Sequence, residues 1–128
     1  MNDLLILGTR IVIVALIAYS IAIITEQRKK KITNVVFIFI SLGILLDIAS
    51  TALMIMGSSN SPFTLHGILG YSSLTAMLID AFLMWRHRFT KGPFVEVSRK
   101  LHLFSRIAYI WWLAAFVTGG LIAIIKYL

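Results

Sequence analysis

The sequence predicts an all-α membrane protein: an up-down four-helix transmembrane bundle with both termini outside. Three observations lead there. The chain is 59% hydrophobic with a mean hydropathy of +0.94, which excludes an ordinary soluble domain. Its apolar residues gather into four runs, about Leu4–Thr25, Asn34–Met56, Phe63–Trp85 and Leu103–Ile125. Each is close to the roughly 20 residues that cross a bilayer as a helix. The charges alternate between loops. Arg28, Lys29, Lys30 and Lys31 follow the first run, Arg86, Arg88, Lys91, Arg99 and Lys100 follow the third, and Gly57–Pro62 carries none. The positive-inside rule then places both basic loops in the cytoplasm.

The spans occupy nearly all of the 128 residues, so residues 1–128 form one integral membrane domain whose core lies between helices. The first span (4–25) does not read as a cleavable signal. Met1-Asn2-Asp3 has no basic n-region, the apolar run is too long, and no small-residue cleavage site follows. Gly8, Ala15, Tyr19 and Glu26 share one helical face of it, and Arg10 lies on another, about 9 Å from the outer boundary by helical rise. The second span (34–56) carries Gly43, Asp47, Ser50, Thr51 and Met54 at helical spacing, with Asp47 near mid-membrane. Either Arg10 pairs with Asp47 while snorkelling outward, or Arg10 faces an anionic ligand.

The third span (63–85) carries a polar stripe. His66, Gly70, Ser73, Met77, Asp80, Met84 and His87 follow one another at steps of four and three, the repeat of one helical face. Ionisable groups inside a membrane are costly enough to suggest function. A salt bridge from Asp80 to Arg106 on the fourth span is the structural expectation, and proton transfer along Asp80, Tyr109 and Arg106 the functional one. His87, in a basic run, is expected in water. The fourth span (103–125), opened by His102, presents Arg106, Tyr109, Leu113, Phe116 and Gly120 on one face. Small residues and hydroxyls such as Ser50, Thr51 and Ser73 suit interhelical packing and bonding.

Gly92-Pro93 marks a turn in the second basic loop, and 95–100 suits the membrane interface. The basic runs read first as topology signals and are compatible with membrane lipids as partners. They form no groove for nucleic acid. The chain has no cysteine, which removes disulfides, thiolate metal sites and cysteine nucleophiles. No Gly-rich phosphate loop or zincin histidine pair occurs, and His66 and Asp80 stand about 21 Å apart by helical rise, so the chain is not read as an enzyme.

Histidine is a metal ligand and an axial ligand of haem iron. A haem between helices needs an axial side chain, an apolar slot and a partner for its propionates. The outer half offers His66 as ligand, Gly70, Gly119 and Gly120 as space, Met54 as second ligand and Arg10 for a propionate. The inner half offers His102 and His87 with Arg86, Arg88 and Arg106. His66 and His102 differ in depth by most of the roughly 30 Å hydrocarbon layer, so they cannot hold one iron together.

Several segments occur in a telling order: Tyr19 and Glu26 before a basic turn, then Leu42-Gly43-Ile44-Leu45-Leu46-Asp47 on through Thr51 to Met54. His66-Gly67-Ile68-Leu69-Gly70 with Met77 follows, then Leu101-His102-Leu103-Phe104-Ser105 with Trp111, Trp112 and Gly119. Over nearly its whole length the chain resembles the bacterial heme-sensing membrane protein A family. The resemblance implies a four-span protein of the bacterial cytoplasmic membrane that binds b-type haem and serves in haem handling and defence against haem or oxidative stress. It carries over His66 and His102 as ligands. The family pattern can hold a histidine where Asp80 stands, and this chain departs from it there.

The sequence thus leads to haem binding, with His66 the preferred axial ligand and His102, Met54, Gly70, Arg10 and Arg106 around the cofactor. Homo-oligomers or a membrane redox partner fit that reading. Two alternatives stay open. One is a small proton-coupled multidrug-type exporter, although the acidic residues of span one, Asp3 and Glu26, flank it and its internal charge is Arg10. The other is an accessory membrane subunit without a ligand.

Overall fold

A computed structural model of the chain describes residues 3–57 and 65–126, apart from the side chains at 4, 5, 57, 65, 66, 120 and 122–126. The outer turn 58–62, the start of the third span at 63, the His66 side chain and Gly120 therefore lie outside the described residues. Four helices form in chain order: α1 (Asp3–Lys29), α2 (Asn34–Gly57), α3 (Leu65–Lys91) and α4 (Arg99–Lys126). Each contains a stretch long and apolar enough to cross a membrane.

At the basic end the helices outrun the apolar runs. α1 continues past Thr25 to Lys29, α3 past Trp85 to Lys91, and α4 starts at Arg99 rather than Leu103. Hydropathy falls where charge begins, but lysine and arginine are good helix formers, so the backbone keeps winding into the interface. Specific caps then stop it. Lys30, at φ 57°, takes the left-handed conformation after α1 and donates its amide to Glu26 O at 2.6 Å. Gly92, at φ 82°, does the same after α3, with its amide on Arg88 O at 2.9 Å. Side-chain hydroxyls open the next helices: Ser98 accepts from the Leu101 amide at 3.1 Å, and Thr33 from that of Val36 at 3.5 Å.

α1 packs most extensively on α2, and α3 on α4; the two pairs meet through α2–α3 and α1–α4 contacts. The interior faces keep the three-and-four spacing of a helix. They carry Ala15, Ala18, Tyr19, Ala22 and Ile23 on α1, Val36, Ile40 and Ile44 on α2, and Met77, Ala81 and Met84 on α3. Large apolar side chains such as Ile17, Leu45, Phe82 and Ile110 point outward, where a bilayer takes them. At the basic end the loops are clasped. Lys31 and Glu96 form an antiparallel bridge, and the Val97 amide donates to Lys30 O at 2.8 Å.

Two glycines set the α1–α2 distance. A Cβ at Gly8 would fall 2.9 Å from the Met54 side chain and 3.2 Å from Ser50 O. At Gly43 a Cβ would overlap the Tyr19 ring, so only glycine lets Tyr19 lie flat against α2. Gly43→Ala is expected to cost about 1–3 kcal/mol, the usual penalty of overpacking. A folding titration in detergent measures it. In a Tyr19→Leu background, where the space is freed, the same substitution should cost less.

Candidate functional site

Apolar helices cannot leave polar groups unmatched in hydrocarbon. The three buried acids of this bundle come from three helices: Glu26 on α1, Asp47 on α2 and Asp80 on α3, at 0%, 4% and 0% exposure. The fourth helix answers them. His102, Ser105, Tyr109 and Trp112 follow at steps of three, four and three, so they form one row down α4.

The row engages every other helix. His102 Nδ1 lies 2.8 Å from Glu26 Oε1. The Ser105 hydroxyl donates to Asp80 Oδ1 at 2.5 Å. The Tyr109 and Ser20 hydroxyls share a hydrogen bond of 2.5 Å. Trp112 Nε1 donates to Asp47 Oδ2 at 2.9 Å, and the Tyr19 hydroxyl donates to the same oxygen at 2.8 Å. Tyr19 and Trp112 meet edge to face, centroids 4.9 Å apart, and Phe116 stacks on Trp112 at 5.7 Å. Asp47 is thus gripped by two aromatic donors whose rings also fill the core.

At the basic end Gln27 completes the Glu26–His102 pair. Its amide nitrogen donates to Glu26 Oε2 at 2.5 Å and to the His102 carbonyl at 2.9 Å. Its amide oxygen accepts from Arg106 Nε at 2.9 Å. Glu26 therefore has both oxygens bonded. His102 has Nδ1 fixed and is about one-sixth exposed at the side chain. In the middle of the bundle Asp80 Oδ2 is buried without a hydrogen-bond partner among the described residues.

Several sequence expectations change. Arg10 is exposed and does not pair with Asp47, whose carboxylate is taken by Tyr19 and Trp112. Asp80 bonds Ser105 rather than Arg106. Ser105 points inward, and its neighbour, turned by about 100° of helix, reaches Gln27 instead. Tyr109 is occupied with Ser20, so no Asp80–Tyr109–Arg106 path is assembled. His87 is not solvated: the loop folds over it, leaving it 7% exposed with Nε2 2.9 Å from Val95 O. Ser50 and Ser73 donate to Asp47 O and Gly70 O of their own helices, with no bond across among the described residues.

Of the other residues predicted around a cofactor, Met54 is packed over Gly8 of α1, and a Cβ at Gly70 would meet no described atom within 4 Å. Glu26, Gln27, Ser105 and Trp112 were not singled out as partners of the polar groups. The signal for Ser105 and Trp112 was present, since both fall on the face of His102. Gln27 had none, because a single amide at a span's end looks like any interfacial residue. Comparison with family models, curated proteins and solved structures finds no match for the chain.

Tyr19→Phe removes one donor while keeping the ring, at an expected cost of about 1 kcal/mol. Trp112→Phe removes the other donor and also shrinks a buried indole to a phenyl, so it should cost more, about 2–3 kcal/mol. The double substitution should cost more than their sum, because Asp47 Oδ2 is then buried with neither donor. A double-mutant cycle on detergent-solubilised protein measures the coupling.

Proposed function

We propose that the chain is a haem-binding protein of the bacterial cytoplasmic membrane, with His102 as an axial ligand oriented by Glu26. One observation carries this reading: an imidazole fixed through Nδ1 by a buried carboxylate. Metal-ligating histidines characteristically have their second ring nitrogen held in this way, which sets the tautomer and the ring orientation. With Nδ1–H directed to Glu26, the lone pair of Nε2 is the one left for iron. Haem brings its own four equatorial nitrogens and asks of the protein one or two axial donors.

The neighbouring residues support the same reading. Arg106, one turn beyond His102, is exposed and tied to Gln27 through Nε alone among its described bonds, so its outer nitrogens suit a propionate. His66 is the candidate ligand of a separate site at the other end of the bundle, on the strength of the resemblance to the heme-sensing membrane protein A family. Gly70, one turn along α3 from it, borders open space among the described residues, and exposed Arg10 supplies a cation near the opposite end of the bundle. Bound b-type haem would supply iron redox and ligand chemistry. The chain's own part is to orient the ligand, shield the ring from water and neutralise the propionates. Sequestering haem from peroxide and lipid is the role that follows.

A second reading, a small proton-coupled exporter, is favoured by Asp80, whose Oδ2 is buried without a partner among the described residues. A carboxyl so placed is suited to carry a proton. Substrate-driven proton flux in liposomes, abolished by Asp80→Asn, is the result that would support it.

Hemin added to the purified protein should give a Soret band shifted from that of free hemin. His102→Ala should reduce the shift, and Glu26→Gln should weaken binding by about 10–100-fold, the usual loss for a residue that orients a metal ligand. No shift, or one untouched by both His102→Ala and His66→Ala, refutes the haem reading. Orientation is checked separately. The chain has no cysteine, so Lys30→Cys and Asn60→Cys give unique labels. Membrane-impermeant maleimide on intact cells should label position 60 and spare position 30.

A further inference from the structure

Where α3 ends and α4 begins, the chain forms a groove of about 750 Å³. Its floor is apolar, made by Leu83, Leu101 and Phe104, and its mouth carries Arg86, Lys91 and Lys100. No carboxylate is among its described lining residues, and all three cations are exposed. The described ion pair of the bundle, His102–Glu26, involves none of them. The groove is therefore amphiphilic in a definite sense, with an uncompensated triple positive charge directly above a hydrocarbon-lined trough.

Its position fits that chemistry. The membrane-compatible stretches of α3 and α4 end at Lys91 and begin at Arg99, so the mouth sits at the membrane boundary and the floor one or two helical turns deeper. The connecting loop is fixed against the end of α3 by the contact of His87 with Val95 O, 2.9 Å. It is also held to the first basic turn through the Val97–Lys30 bond of 2.8 Å. Phe94, in the same loop, is 84% exposed; an aromatic ring so presented belongs in the leaflet rather than in water. A solute entering this groove meets cations at headgroup level and apolar walls below, which is the profile of a phospholipid standing in its own leaflet.

We propose that the α3–α4 groove is a seat for one anionic phospholipid, its phosphate among Arg86, Lys91 and Lys100 and an acyl chain along Leu83, Leu101 and Phe104. The diffuse basic surface of this end attracts anionic lipid in general. The groove adds a place where a headgroup charge and the first part of a chain are met together, so one lipid should exchange slowly while the rest exchange freely. This site is separate from the His102–Glu26 pair and does not depend on what that pair binds.

The test is native mass spectrometry of the full chain released from nanodiscs of phosphatidylcholine containing phosphatidylglycerol. One phosphatidylglycerol should be retained in preference to phosphatidylcholine. Lys91→Gln/Lys100→Gln should weaken retention by about fivefold for each charge removed. Arg28→Gln/Lys29→Gln removes the same charge from exposed positions of the same end outside the groove, and should leave retention near its original value. Equal loss in both variants would reduce the site to general surface attraction and overturn the proposal. So would displacement of the lipid by glycerol phosphate at equal concentration, which would show a headgroup anion site with no place for a chain. Displacement by hemin would assign the groove to another amphiphile, and that result is distinguishable from the Soret response of His102 because neither Lys91 nor Lys100 bonds that pair.

Discussion

A carboxylate in hydrocarbon must find its hydrogen-bond donors inside the protein. That requirement organises this bundle. Glu26, Asp47 and Asp80 stand on three different helices, and each is met by a donor from α4: His102, Trp112 and Ser105 respectively. Hydrophobic burial alone would not choose among rotations of four apolar cylinders, because lipid tails are as apolar as leucine. The donor row of α4 does choose. Turning α4 by one residue would withdraw all of its donors from their acceptors at once. The close approach of α1 and α2 at Gly8 and Gly43 serves the same end, since it brings the Tyr19 hydroxyl to Asp47 as a second donor.

The four spans could be read from hydropathy because the bilayer imposes one length on every crossing helix. The inward faces of α1, α2 and α3 could be read as well, whereas on α4 the expected face through Arg106 and Leu113 lies one residue off the inward row of Ser105 and Trp112. Tyr19 and Glu26, Gly43 and Asp47, and the Ser73–Met77–Asp80–Met84 stripe all turn inward as their spacing requires. What failed was the choice of partners. Asp47 and Asp80 each invite an arginine, and in both cases a neutral donor holds the acid. Opposite charge is visible in a sequence, whereas an indole or a hydroxyl looks like packing until its depth and rotation are known. Arg10 and Arg106 instead lie exposed on the outside of the bundle, where long apolar stems allow a charged head to reach water. The helix ends at Lys29, Lys91 and Arg99 escaped because hydropathy reports where the membrane stops, while the backbone stops only at a cap.

The basic end concentrates chemistry. It holds a histidine whose ring is oriented by a buried carboxylate, the Gln27–Arg106 bond beside it, and the cationic groove between α3 and α4. The two features have different grounds. The histidine pair is built on a fully buried carboxylate with both oxygens bonded, which fixes the partly buried imidazole through Nδ1. The groove is lined by exposed cations at the facing ends of α3 and α4, whose connecting loop is held by the Val97–Lys30 backbone bond and by the His87 ring. Under the haem reading proposed above, an oriented imidazole beside a charged, lipid-accessible margin would suit a protein that meets an amphiphilic cofactor from within the membrane.

The position of the donor row also bears on how the chain is made. Translation delivers α1, α2 and α3 before α4, so every acid of the core enters the membrane ahead of the helix that supplies its donors from α4. Asp47 has Tyr19 to wait with, and Glu26 has Gln27, but the described bond of Asp80 comes from Ser105 alone. A three-helix intermediate therefore presents an unmatched carboxyl on α3. Arrival of the last helix brings the Ser105 hydroxyl to Asp80 Oδ1. The order of synthesis thus leaves to one serine the first described partner of the acid on α3.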